Sequence, residues 1–119
     1  MGTEQLLMDA ESQRILIRNL RIADSWQSRT RGLLDTAELN RGEGLLLTPC
    51  NSIHTFGMSY ALDIVYVGYD RRIVRCLHQV PPRRVSFEWR ARAVIELKAG
   101  EAHRLGLFRG QKLCWQSVS

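Results

Sequence analysis

The stretch Leu62-Asp63-Ile64-Val65-Tyr66-Val67-Gly68-Tyr69-Asp70-Arg71-Arg72-Ile73-Val74-Arg75-Cys76-Leu77-His78 reads as a β-hairpin. Residues 62–67 are rich in β-branched and aromatic side chains, Gly68-Tyr69-Asp70-Arg71 supplies the turn, and residues 73–78 form the returning arm. A period of two places Asp63 on one face with Val65 and Val67, and Leu62, Ile64 and Tyr66 on the other. Both faces are otherwise apolar. A carboxylate at position 63 must therefore lie exposed at the strand's start or be paired and hydrogen-bonded, because an isolated buried charge is too costly to keep. Two roles follow for Asp63: a pin for the 58–62 loop, or a carboxylate lining a cleft.

Immediately upstream, Pro49-Cys50-Asn51-Ser52-Ile53-His54-Thr55-Phe56-Gly57-Met58-Ser59-Tyr60-Ala61-Leu62-Asp63 gathers a thiol, an imidazole, a thioether and a carboxylate. Cys50 and His54 lie four residues apart, but Pro49 and Gly57 oppose the helix that would give this spacing meaning for a metal. No metal or cofactor is expected. A nucleophilic set of Cys50, His54 and Asp63 is formally available, while a small packed thiol is the simpler reading of Cys50. Phe56 and Met58 read as core or cleft-wall groups.

Farther out, residues 1–13 show little periodicity and read as a mobile lead-in to a single globular domain spanning 14–119. Residues 15–22 read as a strand, or as a strand broken near Asn19, and Asp24 or Ser25 caps a short helix reaching Leu34. Leu45-Leu46-Leu47 is a buried strand stopped by Pro49. After Pro81-Pro82, apolar residues alternate with polar ones from Val85 to Leu97; a true strand is expected over residues 93–98, preceded by an irregular portion. Residues 100–105 suit a helical turn, and residues 112–116 a last strand. The sum is an α+β, β-rich domain of five or six short strands with one or two short helices, its sheet curling into a barrel-like shape.

The 119 residues suffice for one modest core, and 45% hydrophobic content argues for a folded chain. No apolar run is long enough to cross a bilayer as a helix, and the first ten residues lack the pattern of a secretion signal. Cys50, Cys76 and Cys114 are odd in number and widely spaced, as for reduced thiols in a cytoplasm. Lysine and arginine number 17 against 12 acidic residues, with only Lys98 and Lys112 as lysines. Arginine forks suit carboxylates and phosphates. The basic cluster Arg71, Arg72, Arg75, Arg83, Arg84, Arg90 and Arg92, with Phe87 and Trp89 between, matches no nucleic-acid motif and reads first as a solvated face.

In order, Arg29-Thr30-Arg31-Gly32-Leu33, Gly42-Glu43-Gly44-Leu45-Leu46, Cys50 through Asp63, and Glu96-Leu97-Lys98-Ala99-Gly100 resemble the small bacterial and archaeal family known as domain of unknown function 192. The resemblance runs from Ile15 to Trp115. It implies a compact β-rich domain and marks Arg31, Gly32, Leu33, Gly44, His54, Phe56, Met58, Asp63, Glu96 and Gly100 as its distinctive positions, without implying a reaction. Three departures stand out: Ser59-Tyr60-Ala61 replaces a more basic or proline-containing approach to the aspartate, Gln111 stands where an aspartate is usual, and Pro82-Arg83 lacks an aromatic residue.

Together these readings predict a cytoplasmic, non-enzymatic binding or accessory domain for a small anionic molecule or a peptide. Its cleft is expected from Cys50, His54, Phe56, Met58, Asp63 and Glu96, with a cation from Arg31, Arg83 or Arg84. The enzymatic alternative is acyl transfer or hydrolysis by Cys50 or His54 with Asp63. The third class is nucleic-acid binding through the arginine cluster.

Overall fold

A computed structural model describes residues 4–23 and 39–117. The helix expected over residues 25–34, and with it Arg31, lies outside the described residues. The elements are β1 (Glu4–Asp9), β2 (Ile15–Ala23), β3 (Glu43–Leu47), β4 (Ser52–His54), β5 (Leu62–Gly68), β6 (Ile73–Val80), β7 (Val85–Phe87), β8 (Ala91–Lys98), α1 (Glu101–Arg104) and β9 (Leu113–Ser117).

The expected hairpin is present as the antiparallel pair β5–β6. Its turn is closed by the Gly68 N–H donating to the Arg72 carbonyl at 2.9 Å, and by Asp70 Oδ1 accepting the Arg72 N–H at 3.1 Å. All seven residues of β5 are buried, because β8 pairs with its other edge and apolar side chains cover both faces. Val65 and Val67 join Ile17, Leu20, Leu46, Ile95 and Leu97 in one cluster. Leu62, Ile64 and Tyr66 join Leu45, Leu47, Ile53 and Val94 in a second cluster on the opposite face. The period of two read in the sequence thus divides the core in two.

The main sheet has seven strands in the order β6-β5-β8-β3-β2-β1-β9, and a two-stranded sheet pairs β4 with β7. All pairings are antiparallel except β2 with β3. Among the described residues nine strands replace the expected five or six, and the barrel expectation is corrected: the strand order is open. Its ends, β6 and β9, meet only at the isolated bridge Arg72–Lys112 and the bonds beside it.

Within the expected lead-in, Glu4–Asp9 is a strand that pairs with β2 on one side and β9 on the other. Leu6, Leu7 and Met8 form an apolar run without alternation, in which Leu7 is buried and its two neighbours are half-buried. The apolar alternation from Val85 to Leu97 also splits. Val85, Phe87 and Trp89 are 72%, 57% and 75% exposed, whereas Ala91, Ala93, Ile95 and Leu97 are buried. A turn at residues 88–90, closed by the Ala91 N–H donating to the Glu88 carbonyl, separates the two parts.

Candidate functional site

Beyond β3, the stretch dense in reactive groups runs antiparallel to residues 84–92. Ser52, Ile53 and His54 pair with Phe87, Ser86 and Val85. Backbone bonds extend this zipper, with the Cys50 N–H on the Arg92 carbonyl, the Glu88 N–H on the Asn51 carbonyl and the Thr55 N–H on the Arg84 carbonyl, each at 2.9 Å. Thr55, which the sequence did not single out, locks the far end. Its buried hydroxyl donates to the Pro81 carbonyl and accepts the Arg84 N–H, both at 2.8 Å. The expected neighbourhood of this stretch with Arg83 and Arg84 therefore exists. Both arginine residues are exposed, and the Arg84 guanidinium reaches only the carbonyls of Pro82 and Arg83, at 3.4 Å.

The other expected site residues do not gather in one cleft. The Cys50 thiol donates to the Ser52 carbonyl at 3.0 Å. His54 is exposed on β4, with its ring 6.0 Å from that of exposed Phe56, and Met58 packs against the second core cluster. Asp63 is fully buried. Its Oδ1 accepts the Gln79 N–H at 2.8 Å, and its Oδ2 accepts those of Gly100 at 3.0 Å and Ala102 at 2.8 Å. The partner demanded by a carboxylate on an apolar strand is thus the main chain, at the end of β6 and the start of α1. No hydrogen bond links Cys50, His54 and Asp63 among the described residues, and no cluster of three or more His, Cys, Asp or Glu side chains there is arranged to hold a metal ion.

Glu96 is buried on β8, opposite Leu45 and Ile64. Burial pushes its carboxyl up to about 7. Because the folded chain holds this proton more tightly than the unfolded chain, the group favours folding fully at acidic pH, and less as pH rises toward about 7.

A charged concavity lies along β6, on the side away from β5. It encloses about 590 Å³ and is lined by Arg75, Cys76 and His78 of β6, by Glu88 and Arg90 of the following turn, and by Leu107, Phe108 and Arg109. Glu88 is matched to Arg90 through bonds of 2.9 and 3.2 Å, and that guanidinium holds its carboxyl below the usual range. Burial pushes the Cys76 thiol up to about 11, with the Asp63 carboxylate adding to the effect, so it stays protonated near neutrality. The zipper serves this cleft, because the Asn51 carbonyl holds the Glu88 N–H and so fixes the turn that presents Glu88 and Arg90. A smaller hollow of about 230 Å³ brings Cys50 beside Arg92 and Tyr69.

Arg75 and Arg90 belong to the basic cluster visible in the sequence. Arg109 does not: it arrives from the loop before β9, and only the long-range contacts bring it near. No local signal marks it.

The sequence profile of DUF192, described as "Uncharacterized ACR", matches residues 7–115. No curated protein matches the chain. Among solved structures, a protein of unknown function from Novosphingobium aromaticivorans is 24% identical with a TM-score of 0.77, over 94% of this chain and 84% of that one. Another, described as a "putative transcription regulator" from Sinorhizobium meliloti, is 20% identical with a TM-score of 0.79, over 96% of this chain and 92% of that one. At these identities the likeness shows the fold alone.

Proposed function

We propose, for a chain that belongs to the domain of unknown function 192 family, a binding module that takes a small anionic ligand or an acidic peptide in the cleft beside β6. The carrying observation is the cleft's charge: Arg75, Arg90 and Arg109 line one opening together with the single carboxylate of Glu88. That carboxylate is already committed to Arg90. Arg75 and Arg109 have no carboxylate partner among the described residues, and planar guanidinium forks suit an incoming carboxylate or phosphate. Exposed Phe108 and half-buried Leu107 add apolar surface to the polar groups, a mixture typical of ligand clefts.

Calorimetric titration with citrate and with hexaglutamate at low ionic strength tests the reading. Binding that weakens in Arg75→Ala and in Arg109→Ala supports it. Unchanged affinity in both variants, or no binding of either probe, removes it.

A further inference from the structure

We propose that the ligand of this cleft is an extended acidic peptide that joins the main sheet by adding to the free edge of β6; the inference rests on the reading of the cleft as an anion site. Among the described residues β6 is an end strand of eight residues that pairs with β5 alone, in regular register at Arg75, Cys76 and Leu77 and with an irregularity on either side of them. Its outer side is engaged at the first residue, where Ile73 donates to the Gln111 carbonyl and accepts from the Gly110 N–H at 2.9 and 2.7 Å. Beyond Ile73, no strand among the described residues covers that edge. The regular middle of such an uncovered edge, residues 75–77, is a template for another chain, while the irregularities on either side confine where it can pair. Here exposed Arg75 sets its sign, disfavouring basic partners and favouring acidic ones.

The cleft does not lie on one face of the sheet but straddles this edge, and the pairing register shows how. Arg75 lies opposite Tyr66, whose side belongs to the second core cluster, and the Tyr66 hydroxyl bonds Ser86 at 2.8 Å. Arg75 lines the cleft together with Glu88 and Arg90, which follow Ser86 in the chain. Cys76 lies opposite Val65 and packs, like Leu107, against the first cluster, on the side of Phe108 and Arg109. A strand laid along the edge sends alternate side chains to opposite faces. One set meets Arg75 and Arg90; the other meets Cys76, Leu107 and Phe108, with Arg109 at the margin. The geometry therefore selects a peptide in which acidic and apolar residues alternate, a strand-addition mode in which main-chain bonds give affinity and alternate side chains give specificity.

The probe is the capped hexapeptide Glu-Val-Glu-Val-Glu-Val. Its controls are the same residues in block order and two versions N-methylated on the odd or on the even residues. Because an added strand presents only alternate N–H groups to the edge it joins, one N-methylated version should bind like the parent and the other about tenfold or more weakly. The block peptide should also weaken about tenfold, and the amides of residues 74–78 should exchange more slowly in the complex. Equal affinity for all four peptides without added protection overturns strand addition but leaves the anion reading standing. So does binding of citrate or hexaglutamate when no hexapeptide binds. Failure of every probe, citrate and hexaglutamate included, removes both.

Discussion

Replacing Asp63 by asparagine keeps the size of the side chain but removes its charge and turns one acceptor oxygen into a donor. In the folded chain Oδ1 takes one backbone N–H and Oδ2 takes two, and the residue is fully buried. An asparagine that aims its carbonyl at Gly100 and Ala102 points its amide at the Gln79 N–H, leaving two donors face to face. The opposite flip orphans both Gly100 and Ala102. Either way at least one bond is lost, the rest lose their charge assistance, and donors are left unpaired at about 1–3 kcal/mol each. The better flip should therefore cost about 3–5 kcal/mol, a large part of the roughly 5–15 kcal/mol that holds a domain of this kind. Urea unfolding measures the loss. Amide exchange at Gln79, Gly100 and Ala102 locates it, and these amides should open well before those of β5. A variant within about 0.5 kcal/mol of wild type, with those amides equally protected, would refute the assignment of Asp63 as a backbone pin.

Glu96→Gln should abolish a pH slope: the wild type should lose up to about 3 kcal/mol of stability between pH 4 and 8, and the variant much less, in urea titrations at successive pH values. Parallel slopes for the two proteins would contradict the assignment. Gly44→Ala places a methyl 3.0 Å from Leu97 Cδ2 and 3.1 Å from Leu20 Cδ1, and overpacking there should cost about 1–3 kcal/mol by the same assay. Gln111→Glu sets a second carboxylate against Asp9, whose Oδ2 now accepts the Gln111 amide at 2.8 Å. The loss should be about 1–4 kcal/mol at pH 7 and smaller at pH 4, read from urea midpoints.

The hairpin of β5 and β6 was legible because its period of two is long and its turn residues are distinctive. The strands β1, β4 and β7 were not. β1 has an apolar run without alternation, and the other two are three-residue segments whose pairing is set by contacts distant in sequence. Open sheet or closed barrel likewise depends on how β6 and β9 end, which no local pattern encodes. The demand of Asp63 for a partner followed from elementary electrostatics. The identity of that partner did not, since Gln79, Gly100 and Ala102 are brought to it by three other parts of the fold. Gln111 illustrates the converse: nothing local explains it, and it becomes intelligible beside Asp9, which two backbone N–H groups and the Gln111 amide hold at about 2. The chemically dense 49–63 stretch drew attention to its own side chains, yet much of what it supplies is backbone that fixes residues 84–92. The cleft's cations come from β6, the 88–90 turn and the 107–109 loop.

The most direct test of the cleft as the binding site is calorimetric titration of hexaglutamate into wild type and into the Arg75→Ala, Arg109→Ala double variant, at low and at physiological salt. The account predicts saturable binding to the wild type that weakens with salt and falls by about tenfold or more in the double variant. Equal affinity for the two proteins would contradict it.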